Sequence, residues 1–142
     1  VVVETNLKGG NGEAIGRLGA LFASFGLVAW LIGSACALVI AGGNAATAVG
    51  ALYATATGLN ITGSVLFSLA FVFIGLAAST NENFNRTFAL IVLALSAFST
   101  VISVWTAVDN SMLQTAGMIS GPVYIVTTIW SVTVGLNLMK KA

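Results

Sequence analysis

The chain has 142 residues, of which 58% are hydrophobic and only 6% charged, with five Lys and Arg against four Asp and Glu, no His and a single Cys. Soluble domains carry about 25% charged residues, so this composition excludes an ordinary water-facing surface. A net charge of +1 excludes a broad basic field for nucleic acid, and the lone Cys36 excludes an internal disulfide.

Charge-free runs cover Leu18–Asn81, Thr87–Val108 and Asn110–Met139, which are 64, 22 and 30 residues long. A membrane-spanning helix needs about 20 apolar residues, so these runs hold two, one and one helices in turn. The expected fold is therefore all-α, a single domain of four hydrophobic, membrane-type helices arranged as two helical hairpins. Residues 1–12 form a polar, Gly-rich arm that starts at Val1. They do not read as a signal peptide, because the apolar run behind them is too long for an h-region and no cleavage signature follows.

The first helix is expected over 13–41 and stops at Gly42-Gly43-Asn44, where Gly suits the left-handed position after a helix end. The second is expected over 45–78. At 1.5 Å per residue its length would be ~50 Å against a hydrocarbon core of ~30 Å, which predicts a kink near Gly58–Gly63 or an assembly thicker than a simple bilayer. Its first half, ATAVGALYATATGLNITGS at Ala46–Ser64, has no charge and only Val49, Leu52, Leu59 and Ile61 as strong inserters. Those four supply only about −1 to −2.5 kcal/mol of insertion drive. STNENFNR links to the third helix, expected over 85–108, whose eleven Leu, Ile, Val and Phe side chains from Phe88 to Val108 give about −3 to −7 kcal/mol. Asp109-Asn110-Ser111 turns the chain into the fourth helix, expected over 112–139, with Gly121-Pro122 as a kink or late start. VFIGL at Val72–Leu76 and VTVGL at Val132–Leu136 echo one another near the ends of the second and fourth helices. Internal duplication and coincidence both account for the echo.

In an up-down-up-down bundle the charges sort by end. Lys8, Arg17, Arg86, Lys140 and Lys141 share one end with Glu4, Glu13 and Glu82, and only Asp109 falls at the other. The positive-inside rule then places both termini in the cytoplasm. Glu13 stands four residues before Arg17, the spacing of an exposed helical ion pair.

Small residues total 62 of 142 when Ala, Gly, Ser and Thr are counted together. Taken at intervals of four they mark helix–helix packing faces: Ala29, Gly33, Ala37 and Ala41; Ala46, Gly50, Ala54, Gly58 and Thr62; Ser99, Ser103 and Ala107; Gly117 and Gly121, then Thr127, Ser131 and Gly135. Small side chains let backbones approach closely, and in lipid that packing replaces the missing hydrophobic drive between helices. Stripes on every helix predict that protein surrounds much of each one.

No catalytic, cofactor or metal chemistry is expected. Without His there is no Ser-His or Cys-His pair, and Gly9-Gly10 lacks a phosphate-loop pattern. No charge lies inside any span, whereas intramembrane ionisable residues mark ion and proton paths. Asn60 and Asn85 match the glycosylation sequon, one within a span and one at the expected cytoplasmic end, and neither is expected to be used. Trp30, Trp105 and Trp130 sit inside helices, where packing is the expected role.

The polar start VVVETNLKGGNGE, two apolar hairpins, Gly/Ala/Thr-rich helices and the basic tail KKA together resemble the very hydrophobic major coat proteins of tailed, spindle-shaped archaeal viruses. The resemblance is one of architecture and composition over the whole chain. It implies a structural protein of the virion, assembled from many copies of itself into a helical shell around double-stranded DNA. It also implies a stage in the host membrane, in contact with lipid. The basic end would then face cytoplasm first and genome later, through loose, non-specific backbone contacts. The rival expectation is a four-helix integral membrane protein with both termini cytoplasmic, either an accessory subunit of a larger complex or a small channel or transporter.

Overall fold

The computed structural model describes residues 9–10, 12–43, 49–82 and 84–139. The chain is all-α: α1 spans Glu13–Ala41, α2 Val49–Ser79, α3 Arg86–Val108 and α4 Leu113–Met139. A single 3-10 turn, Asn110–Met112, joins α3 to α4, and there is no strand among the described residues. All four helices are long and apolar enough to cross a membrane.

The helix ends follow local chemistry. The α1 helix closes as the glycines predict, with the Gly42 N–H donating to Leu38 O at 2.9 Å and Gly43 taking a φ of +70°. Asn85 caps α3, its side-chain oxygen accepting from the N–H groups of Thr87 and Phe88 at 3.0 and 3.3 Å. That satisfies two of the donors a helix start leaves open. The α2 helix is uninterrupted through Gly58 and Gly63, and α4 continues through Pro122. Neither Gly58–Gly63 nor Gly121-Pro122 interrupts its helix.

The buried stripes repeat every seven residues rather than every four. Gly12, just before α1, and Gly19, Gly26 and Gly33 along it face α2, where they meet Ala77, Ala70, Gly63 and Ala56 in antiparallel order. At the centre the two backbones nearly touch. A Cβ built on Gly26 would lie 3.0 Å from the Gly63 carbonyl oxygen, and one built on Gly63 would lie 3.0 Å from the Gly26 carbonyl oxygen. A seven-residue repeat falls slightly short of two full turns, so the stripe stays in contact only if the helices wind about each other in a left-handed sense.

The α3 stripe, Ala89, Val92, Ser96, Ser99, Ser103 and Thr106, alternates steps of three and four and is buried throughout. It lies against α2, where a Cβ on Gly75 would meet Ala89 O and Leu93 N, each at 3.1 Å. Deeper in the bundle, Ser68 donates a buried hydrogen bond to Ser99 at 3.2 Å. In α4 the buried positions are Ala116, Ser120, Val123, Thr127 and Trp130, again in steps of three and four. Packing does not divide evenly into two hairpins. The α2 helix is central, and α3 packs more extensively on α2 than on α4.

The interior is built mostly from small side chains; among the described residues the largest with almost no exposure is Val92, and the bulkier Phe84 and Trp130 are buried at one end. Other bulky ones point outward: Phe25, Leu31 and Leu38 on α1, Phe88 and Val101 on α3, and Met118 and Ile129 on α4 are all exposed. This inverts the layout of a water-soluble bundle.

Close backbone contact makes a sharp prediction. Gly63→Ala places a methyl group against the Trp30 ring and the Gly26 carbonyl and should cost about 1–3 kcal/mol, as overpacking of a tight core does. Gly58 has no heavy atom within 4 Å of a Cβ, so Gly58→Ala should be neutral or gain up to about 1 kcal/mol from helix propensity. Equilibrium unfolding of the detergent-solubilised chain measures both. A neutral Gly63→Ala would contradict the observed contact.

Candidate functional site

The charged residues gather at helix ends. Arg17 donates to Glu13 at 2.6 Å, the pair expected from their spacing, and Glu13 also accepts from the Gly9 N–H at 2.7 Å. Gly12 abuts Ala77 and Thr80, and Trp130 shares a buried cluster with Ala77, Ala78, Phe84 and Ala89. The start of α1, the α2–α3 link, the start of α3 and the last third of α4 therefore lie at one end of the bundle. Arg17, Glu82 and Arg86 are all exposed there. Lys8, Lys140 and Lys141 fall outside the described residues.

At the opposite end Asp109 closes α3, its N–H donating to Trp105 O at 2.9 Å. Its carboxylate accepts from the Ser111 hydroxyl at 2.6 Å and the Ser111 N–H at 2.9 Å. These two bonds, the hydroxyl first, favour the ionised form and hold the carboxyl below its ordinary value. A lowered folded-state value adds stability that is present above the ordinary Asp range and lost as pH falls through the lowered value. Ser111→Ala should raise the Asp109 titration midpoint toward that of an unpaired Asp, which carboxyl-carbon NMR resolves. An unchanged midpoint would remove the Ser111 hydroxyl as the leading cause.

The small residues singled out from the sequence separate into two groups. Ala29 and Gly33 are buried within the chain, Gly33 with Asn60 Oδ1 and Ala56 O 3.0 and 3.2 Å from where its Cβ would stand. Ala37, Gly50, Ala54, Gly58, Thr62 and Gly117 are exposed, and Gly121 is half-buried. Gly135 lies on α4, and Ala46 is outside the described residues. Gly50 and Gly58 have no heavy atom within 4 Å of a Cβ. Ala54, Gly58 and Thr62 form one wall of an open groove of about 590 Å³, with Ala107 of α3 and Leu113 of α4 opposite.

A second, smaller cleft of about 270 Å³ lies between α2, α3 and the first half of α4. Its polar lining is Asn60, Ser64, Ser103, Thr106, Ser120 and Tyr124. Gly117 and Gly121 also border it, and neither has a heavy atom within 4 Å of a Cβ. Their GxxxG spacing, which the sequence assigns to a packing face, here opens onto space.

Aromatic rings join the helices beside this cleft. Trp30 stacks at a tilt on Phe67 with centroids 4.8 Å apart, and Tyr124 meets Trp30 edge-on at 5.6 Å. The Trp30 indole N–H donates to Asn60 O at 3.1 Å, so its polar tip is satisfied. Trp30 and Trp130 thus take the packing role expected of them within one chain, while Trp105 is exposed.

Sequence reasoning missed the seven-residue period and the hydroxyl-lined cleft. The period was present as Gly12, Gly19, Gly26 and Gly33. The cleft carries no local signal, since three helices contribute to it. No group of His, Cys, Asp and Glu able to hold a metal occurs among the described residues. No protein-family model matches the chain, and no curated protein or solved structure matches it either.

Proposed function

We propose that the chain is a structural, self-assembling coat protein whose copies pack through the exposed small-residue face of α2 into a helical shell around a DNA genome. The observation that carries this reading is the mismatch on α2. Its Gly50, Ala54, Gly58 and Thr62 face is uncovered in the single chain, yet it is too poor in bulky side chains to be stabilised by lipid. A helix of a neighbouring copy, seated in the groove that Ala54, Gly58 and Thr62 share with Ala107 and Leu113 and running on past Gly50, supplies the missing contacts. The exposed Leu, Phe and Val side chains of α1 and α3 offer ridges for such a groove. Ridge and groove lie on different parts of the molecule, so the contact is heterologous and propagates into rings or filaments.

The charge distribution supports the same reading. One end carries Arg17 and Arg86, and Lys8, Lys140 and Lys141 belong to the segments adjoining it in sequence. Glu13 already neutralises Arg17, so genome contacts would be few, loose and indifferent to base sequence. Before assembly the four apolar helices suit residence in the host membrane, and after it the virion.

The second reading is an integral membrane subunit of a larger complex, favoured by four helices of spanning length and apolarity. Electron microscopy of the purified protein, with lipid analysis, separates the two. Tubes or shells made by this chain alone support the coat; occurrence only as a fixed-stoichiometry partner in a lipid-embedded complex defeats it. Gly50→Leu and Gly58→Leu should abolish those assemblies while leaving membrane insertion intact, and normal assembly of both variants would overturn the α2 interface. For topology, Glu82→Cys and Ser111→Cys in a Cys36→Ser background should react with an impermeant thiol reagent from opposite sides of the membrane. Labelling from one side only would contradict a four-span arrangement.

A further inference from the structure

We propose that the cleft between α2, α3 and the first half of α4 binds a neutral amphiphile carrying one hydroxyl group, of about the size of octanol. This site adjoins the α2 assembly groove, with which it shares Ile61 and Leu113, but its lining of Ser103, Ser120 and Tyr124 lies outside that groove, and the proposal does not depend on assembly.

The chemistry of the lining selects the ligand class. None of the cleft residues is charged, so an ion would leave water with no counter-charge to receive it. The hydroxyls divide into committed and uncommitted ones. Ser64 donates to Asn60 O at 2.9 Å and Thr106 to Ile102 O at 2.8 Å, each returning its proton to its own helix. Ser103 on α3 and Ser120 on α4 also line the cleft, and neither hydroxyl bonds to any described residue. Tyr124 lines the same cleft, and its hydroxyl is buried with no hydrogen-bond partner. Buried polar groups in this state are costly, and a bound partner relieves the cost. One ligand hydroxyl, which both donates and accepts, answers the α3 and α4 walls together.

The rest of the lining is apolar. Ile61, Leu113 and Ala116 form that part of the wall. Gly117 and Gly121 create the room, since any side chain at either position would project into unoccupied space. A volume of about 270 Å³ corresponds to roughly nine water-sized groups at ~30 Å³ each, the bulk of an eight-carbon alcohol. A hydroxyl at the serine wall and a short alkyl body against Ile61 and Leu113 fill both halves of the site.

Photolabelling tests this directly. The purified full chain in detergent micelles is irradiated with the photoreactive alcohol azioctanol, and labelled peptides are mapped by mass spectrometry. Incorporation at the cleft should saturate and be displaced by octanol. Gly117→Leu combined with Gly121→Leu should lower cleft labelling by roughly tenfold, while Ala37→Leu, on the exposed face of α1, should leave it unchanged. Ser103→Ala with Ser120→Ala keeps the cleft's shape and should weaken octanol displacement several-fold without changing displacement by octane. The serine pair decides the matter if the leucine variant loses helix content by circular dichroism. Labelling that rises linearly with concentration, falls mainly on outer residues such as Leu31, or persists undiminished in both variants would overturn the proposal.

Discussion

The fold depends on backbone meeting backbone between α1 and α2. Gly26 and Gly63 bring two main chains to within reach of each other's carbonyl oxygens, with Gly19 against Ala70 and Gly33 against Ala56 on either side. In lipid, burying a leucine between helices brings little, because the hydrocarbon outside is as apolar as the side chain. Dispersion between closely fitted surfaces remains, and it falls off within an ångström of ideal separation. Each glycine sacrifices about 0.5–1 kcal/mol of helix propensity relative to Ala. Distributed along the seam, that sacrifice is offset by contact from Gly19 to Gly33 on α1 and from Ala56 to Ala70 on α2.

Everything else in the bundle follows from that economy of bulk. Because α1 and α2 bury glycine and alanine, the larger side chains of α1 such as Phe25, Leu31 and Leu38 turn outward, and those of α2 such as Phe67 and Phe71 sit half-buried beside the seam. The α3 seam uses a different chemistry, with Ser68, Ser96, Ser99 and Ser103 where the first seam has glycine and alanine. The Ser68–Ser99 hydrogen bond joins the two helices, while Thr100 and Thr106 return their hydroxyls to their own backbone at 2.8 Å each. The α4 helix packs less closely, through Tyr124 and Trp130 rather than through its glycines. Loose packing there leaves the cleft, and the uncovered face of α2 beside it leaves the groove. The two features with functional meaning are both consequences of where close packing stops.

Much of the architecture was legible in the residues. Charges at Arg17, Glu82, Arg86 and Asp109 bracket the helices, because a charge inside a hydrocarbon span is too costly to place anywhere else. Gly42-Gly43, Asn85 and Asp109 mark ends whose capping is local chemistry. The packing faces were less legible. A four-residue step turns ~400° around the axis, so a stripe such as Ala29, Gly33 and Ala37 drifts by ~40° at each step and leaves the interface. Ala29 and Gly33 are buried and Ala37 is exposed for that reason. A seven-residue step drifts only ~20°, which supercoiling absorbs. The glycines at 12, 19, 26 and 33 follow the period that two wound helices require.

Composition and charge placement alone determined that this chain is four apolar helices with their charges at the ends, since helix formation, capping and exclusion of charge act over a few residues. Only the tertiary structure decided which small residues meet within one chain and which remain uncovered. Gly33 and Gly58 are the same residue type in similarly apolar helices, yet one lies against Asn60 and Ala56 and the other faces open space. The difference is set by the register and winding of α1 on α2, a property of two surfaces together that neither helix carries by itself.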